Sequence, residues 1–91
     1  MSITVRIPAA LRKLTGGQDT VSANGNNLGQ CIDALNVAYP GFKERVCDET
    51  GELRRFVNMY VNGDDVRFLQ GVATALKDGD EVSIVPAVAG G

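Results

Sequence analysis

The chain has 91 residues, 44% of them hydrophobic and 22% charged, which suits one globular domain with a single core. Nine basic against eleven acidic residues leave a net charge of −2, and the Arg54-Arg55 doublet is too short for a phosphate track. Nucleic acid and anionic membrane surfaces are therefore excluded as expected partners.

There is no histidine, so neither a Ser/His/Asp nor a Cys/His nucleophilic site can be assembled, and the commonest transition-metal ligand is missing. No glycine-rich phosphate loop is present either. These absences point away from an enzyme, and no metal or bound cofactor is expected. No apolar run approaches the roughly 20 residues of a membrane span, and MSITVRIPAAL lacks the basic start and long apolar stretch of a signal peptide. Cys31 and Cys47 are too few for a disulfide framework. A reduced, cytoplasmic protein is the expectation.

In chain order, residues 2–8 alternate, with Ile3, Val5 and Ile7 on one side and Ser2, Thr4 and Arg6 on the other. That period of two predicts a half-buried strand ending at Pro8. Thr15-Gly16-Gly17 supplies a turn, and residues 18–23 form a second strand through Val21 and Ala23, paired antiparallel with the first. Asn27 is an N-cap residue and Gln30 completes a capping box. Leu28, Cys31, Ile32, Leu35, Ala38 and Tyr39 then recur at spacings of three and four, an apolar helical stripe ended by Pro40-Gly41. Cys31 in that stripe is expected to be a small core residue, inert because a buried thiol does not ionise.

Residues 42–52 show no clean period and contain Asp48-Glu49-Thr50-Gly51, which predicts a surface loop with at most a short helical turn. Cys47 falls in that loop, and acidic neighbours Asp48 and Glu49 are expected to raise its pKa. The period of two returns at Leu53. Leu53, Arg55, Val57, Met59 and Val61 form one set, and Arg54, Phe56, Asn58 and Tyr60 the other. Asn62-Gly63 is a strong hairpin signal, with Val66 and Phe68 on a short returning strand. Residues 69–77 are expected to be irregular, anchored by Ala75 and Leu76. After the turn at Asp78-Gly79-Asp80, residues 81–86 form the last strand, with Val82 and Ile84 inward and Glu81, Ser83 and Val85 outward. One helix against four or five short strands is a two-layer α+β domain with its other sheet face open.

This order of elements resembles the ubiquitin-like β-grasp sulfur carriers of the MoaD/ThiS family. FVNMYVNGDDVRF at 56–68 and LKDGDEVSIVPAVAGG at 76–91 carry the resemblance, more loosely joined by ITVRIPAALRKLTGG at 3–17. Within the family it is most like the branch that supplies sulfur for cysteine. The resemblance implies a β-grasp domain over 1–85, with a mixed sheet of four or five strands on one main helix, and a C-terminal Gly-Gly tail over 86–91. It further implies a protein co-substrate in place of a catalyst. An E1-like adenylating and sulfurtransferase enzyme of the MoeB/ThiF/MoeZ type would use ATP to activate the Gly91 carboxylate. A sulfur donor would then convert the acyl-adenylate to a thiocarboxylate. The acceptor would be a cysteine-synthase-type enzyme or the large subunit of molybdopterin synthase.

The tail suits that chemistry. A terminal carboxylate is ionised at neutral pH and is a poor electrophile until activated. Residues 86–91 extended span at most about 20 Å, at roughly 3.3–3.6 Å each, enough to thread a channel. Val88, Ala89 and Gly90 carry no charge or bulk to obstruct it, and Pro86 stiffens the exit from the sheet.

A second feature is expected on the open sheet face. Phe56, Tyr60 and Val85 form an aromatic-centred patch rimmed by Arg6 and Arg54, suited to partner docking. Three other readings stay open from the residues alone: a small subunit of molybdopterin synthase, a ubiquitin-like modifier conjugated to lysine through Gly91, and a plain binding module with an idle tail.

Overall fold

The computed structural model describes residues 2–86. Strand β1 (Ile3–Arg6) pairs antiparallel with β2 (Thr20–Ala23), Ile3 facing Ala23 and Val5 facing Val21. Ile3, Val5 and Ile7 are all buried, as the alternation predicts. A single 3-10 turn at Ala9–Leu11 follows Pro8 and drops Leu11 onto the edge of the core.

Helix α1 (Leu28–Ala38) starts where the capping signal places it. The Asn27 side chain accepts from the Gln30 amide at 2.8 Å, and the Gln30 side chain reaches back to the Asn26 amide at 2.8 Å. Leu28, Cys31, Ile32 and Leu35 are buried, but Ala38 is exposed and Tyr39 only packs against the margin. The apolar stripe stops there because Tyr39 precedes Pro40, leaves helical geometry at φ −131, ψ 84, and caps the helix instead.

The expected surface loop at 42–52 is corrected at its first half. Residues Phe42–Val46 form a second helix, α2, and Phe42, Val46 and Cys47 belong to the core. A helix of little more than one turn shows a single i,i+4 apolar pair, Phe42 with Val46, which is too short to register as a period. The second half is a polar turn: the Asp48 carboxylate accepts from the Thr50 amide at 2.9 Å and the Thr50 hydroxyl at 2.5 Å.

Strand β3 (Val57–Val61) starts four residues later than the sequence alternation suggests. Residues 53–56 are taken up by a bridge from Leu53 to Cys47 and a turn in which the Val57 amide donates to Arg54 O at 3.0 Å. The Asn62-Gly63 hairpin forms as expected, both residues at positive φ (52° and 92°), the signature of a type I′ turn. The returning strand β4, however, is only Asp64–Asp65. The Asp65 side chain accepts from the Arg67 amide at 2.9 Å and starts a 3-10 turn over Val66–Phe68. Val66 is then fully buried, and Phe68, expected in the strand, is 87% exposed.

A further 3-10 turn at Gly71–Ala73 leads to the anchor at Leu76, which is buried. Ala75, expected to share that role, is exposed, because its backbone pairs with Asn27 instead. Strand β5 (Glu81–Pro86) lies in the middle of the five-stranded sheet, whose order is β2-β1-β5-β3-β4. It runs parallel to β1 and antiparallel to β3, so the sheet is mixed. Val82 and Ile84 are buried in the core, while Glu81, Ser83 and Val85 lie on the other face of the strand.

Candidate functional site

The segment expected to carry function leaves the sheet at its centre. Pro86 is still in register with Val57 on β3. The amide of Asn62 donates to Glu81 O, so the pairs 62/81, 60/83 and 58/85 are the hydrogen-bonded ones and 57/86 is not. Pro86 nitrogen therefore points toward β1, whose pairing with β5 stops at Arg6 and Ser83, and the missing N–H breaks no rung. Val88, Ala89, Gly90 and Gly91, named above as tail and reaction site, lie outside the described residues.

The patch residues fall into two groups that meet at Val85-Pro86. On the open face, Tyr60 sits across from Ser83 and diagonal to Val85, which is 45% exposed. Arg6 flanks Ser83 from the other side. Its guanidinium pairs with Glu81 at 3.1 Å, so charge on that rim is balanced.

Phe56 and Arg54 belong to the second group. Because β3 starts only at Val57, Phe56 is not part of the strand and lines a groove at the end of the sheet, together with Leu11, Val57, Ile84 and Pro86. The groove measures about 370 Å³. Leu11 and Ile84 are core residues, so the open end of the core forms its floor, and Phe56, 51% exposed, forms a wall.

Arg54 is fixed from two sides. Its amide donates to Val46 O and its Nε to Glu44 O, both at 2.9 Å, tying it to α2. From the far side the Arg67 Nη2 donates to Arg54 O at 2.9 Å and to Val57 O at 2.9 Å. Arg67 also contacts the Asn58 side chain. No local pattern in the chain marks Arg67 or Glu44, because their roles depend on contacts with residues 9 to 13 positions away, and Glu44 lies on a helix too short to detect.

The thiols offer no alternative site. Burial pushes the Cys31 thiol up to about 11. Burial also raises Cys47, with Lys43 pulling the other way and Asp48 adding to the rise. Its inertness thus comes first from desolvation; the acidic neighbour is a smaller contribution. Among the described residues no group of three or more Cys, Asp or Glu side chains could hold a metal ion, and no helix is long and apolar enough to cross a membrane.

A family model, the ThiS family, matches residues 5–91. The chain belongs to the ThiS family. Relatives agree with that placement. The chain is 56% identical to Sulfur carrier protein CysO of Mycobacterium tuberculosis over 93 aligned residues, covering all of both chains. The crystal structure of that protein superposes with a TM-score of 0.91 at 55% identity, covering 94% of this chain and 99% of the other. CysO in the Amycolatopsis orientalis BexX/CysO complex gives 0.92 at 46% identity, covering 98% and 99%. The Small archaeal modifier protein 3 of Haloferax volcanii is 36% identical over 93 residues, again covering all of both chains. The ThiS-family fold is the ubiquitin-like β-grasp, and this chain has it: a mixed five-stranded sheet with α1 across one face. The 56% identical relative is named as a carrier and not as a catalyst.

Proposed function

We propose that the chain is a sulfur carrier whose reactive group is the Gly91 carboxylate. The observation that carries this reading is the 56% identity, over the whole of both chains, to a sulfur carrier protein. In the proposed cycle an E1-like enzyme joins the carboxylate to the AMP moiety of ATP, releasing pyrophosphate. A sulfur donor then displaces AMP and leaves a thiocarboxylate. Transfer of that sulfur to an acceptor, with hydrolysis by water supplying the oxygen, returns the carboxylate, and the product pathway is cysteine biosynthesis.

The domain's part is presentation. The tail's root, Pro86, is held at the centre of the sheet by its register with Val57 on β3, three residues past the end of the β1–β5 pairing at Ser83. Activating and accepting enzymes would dock beside it, on Tyr60 and Val85 of the open face, with Arg6 at the rim, and on Phe56 and Arg54 of the groove. Apolar anchors within a charged border supply most of the binding energy of such interfaces. ATP is bound by the activating partner and not by this chain.

Intact mass spectrometry of the natively isolated protein tests the reading. The expected species is heavier by the sulfur–oxygen mass difference, localised to Gly91, and disappears on deletion of Gly91 while the melting temperature stays unchanged. Conjugates to lysine in place of that species would move the assignment to a protein modifier. Retention of the large molybdopterin-synthase subunit, with no cysteine-synthase-type partner, would move it to molybdopterin synthesis.

A further inference from the structure

The groove at the end of the sheet combines an apolar floor with a charged border. Leu11, Val57 and Ile84 form the floor and Phe56 stands at its side. Arg45 and Arg54 border it together with Glu44, so the border is net positive on a chain whose net charge is −2. Among the described residues the ion pairs join Arg6 to Glu81 and Lys43 to Asp33, so neither guanidinium at the groove is matched by a carboxylate. The Arg54 Nε donates to Glu44 O at 2.9 Å, which anchors the head group and leaves its Nη groups for an outside acceptor.

Beyond Arg54 the border changes sign. A second depression shares Glu44 and Arg54 with the groove and adds Lys43, Asp48 and Glu49, so its carboxylates outnumber its cations. An incoming acid is therefore attracted on the Pro86 side of Arg54 and opposed on the far side. Pro86 itself lines the groove, and Gly91 lies at most about 18 Å from it, at roughly 3.3–3.6 Å per residue. A protein that acts at Gly91 brings its own surface within that distance. The groove is open along its length, which suits a segment of such a surface better than a small molecule that needs enclosing.

We propose that the groove takes a surface segment of the enzyme that acts at Gly91, one in which an aliphatic side chain is followed by a carboxylate. The aliphatic group packs on Leu11, Ile84 and the Phe56 ring, and the carboxylate meets the Arg45 and Arg54 guanidiniums. The inference rests on the function proposed above and adds the chemistry by which a partner is chosen. A lysine or arginine at the same place on a competing protein is rejected by the same two charges. Arg6 on the open face is neutralised by Glu81 and offers no such preference.

Nuclear magnetic resonance titration of the full chain, without any sulfur loading, tests this directly. The probe is a short capped peptide with a leucine pair followed by an aspartate pair in a glycine–serine frame. Saturable shifts are expected at the Leu11 and Ile84 methyls and the Phe56 ring, and serine in place of the leucines should abolish them. Exchanging the aspartates for lysines should weaken binding several-fold, and added salt should narrow that difference. Arg45 is exposed on α2, so Arg45→Glu leaves the core untouched, and it should reverse the preference between the two peptides. Lys77→Glu, the same change of charge ahead of β5, should leave the preference as it is. Equal affinity for both peptides, a preference that survives Arg45→Glu, or no saturable shift up to about 5 mM peptide would each overturn the proposal. Peptide binding needs no sulfur on Gly91, so failure of the thiocarboxylate assignment leaves these shifts intact, and their absence leaves that assignment standing.

Discussion

The guanidinium of Arg67 stands where a longer fourth strand would otherwise be, its Nη2 donating to the Val57 carbonyl at 2.9 Å. Strand β4 pairs with β3 only at Tyr60 and Val61. The carbonyls of Arg54, Arg55 and Val57 lie past the end of that pairing, and Arg67 Nη2 reaches all three, Arg55 O at 3.4 Å. One planar fork thus holds the turn that carries Phe56 and Arg54. Lysine, a point charge on a flexible stem, cannot reproduce it.

Arg67→Ala is accordingly expected to cost about 1–2 kcal/mol of stability, the net worth of a few partly exposed charge-assisted hydrogen bonds. A urea titration with a lowered midpoint and unchanged slope checks it. Arg67→Lys should recover less than half of the loss. If the lysine variant matches wild type, the fork geometry is irrelevant.

Two phenylalanines should behave oppositely. Phe42 is fully buried under α1, and Phe42→Ala is expected to cost about 3–5 kcal/mol through lost burial and the cavity left behind. Phe56 is 51% exposed on the groove wall, so Phe56→Ala should cost less than about 1 kcal/mol yet weaken binding to the activating enzyme. Thermal melts alongside a binding titration separate the two effects.

Acid should act through Asp80. Its carboxyl is held below its ordinary range first by the Asn62 side-chain amide, at 3.0 Å, and then by the Lys77 amide. A depressed folded-state pKa contributes stability above the unfolded value near 3.8, lost as pH falls through the lower folded value. Asn62→Gly keeps the positive φ of the turn and removes the amide. Its destabilisation relative to wild type should therefore be larger at neutral pH than below pH 3.8, with the remainder set by the Glu81 amide, which also donates to Asn62. A difference that is flat across that range would remove Asp80 from the account.

The thiols give an alkaline counterpart. Cys31 keeps its proton up to about 11 in the folded chain and ionises near 9.0 when unfolded. A raised thiol pKa contributes stability below 9.0 that is lost as pH climbs toward about 11, so stability should fall over that interval. Cys31→Ala should flatten the slope. In native protein at neutral pH, neither Cys31 nor Cys47 should react with a thiol reagent until denaturant opens the core. Prompt labelling of one thiol per chain would show that Cys47 is reachable.

Much of this protein is legible in its residues one element at a time. Ile3-Val5-Ile7, the Asn27 cap with its stripe from Leu28 to Leu35, the Asn62-Gly63 turn and the Val82-Ile84 face all come from local periods and turn chemistry, and they stand in the structure. Those signals need only neighbours within a turn or a pleat to be decided.

The features that the chain alone left open were settled by contacts between distant segments. Phe42 and Val46 are core because α2 packs beneath α1, and one apolar pair has no period by which to announce it. Phe56 lines a groove and not the open sheet face because Arg54 is tied to Glu44 and Val46 on one side and to Arg67 on the other, delaying β3 by four residues. The sequence by itself determined the first, second and last strands, the Asn62-Gly63 turn, the main helix and an apolar Gly-Gly ending. Tertiary structure decided where that ending begins, because the placement of Pro86 depends on β1 and β3, which lie about 80 and 30 residues away along the chain and can be brought together only by forming the core.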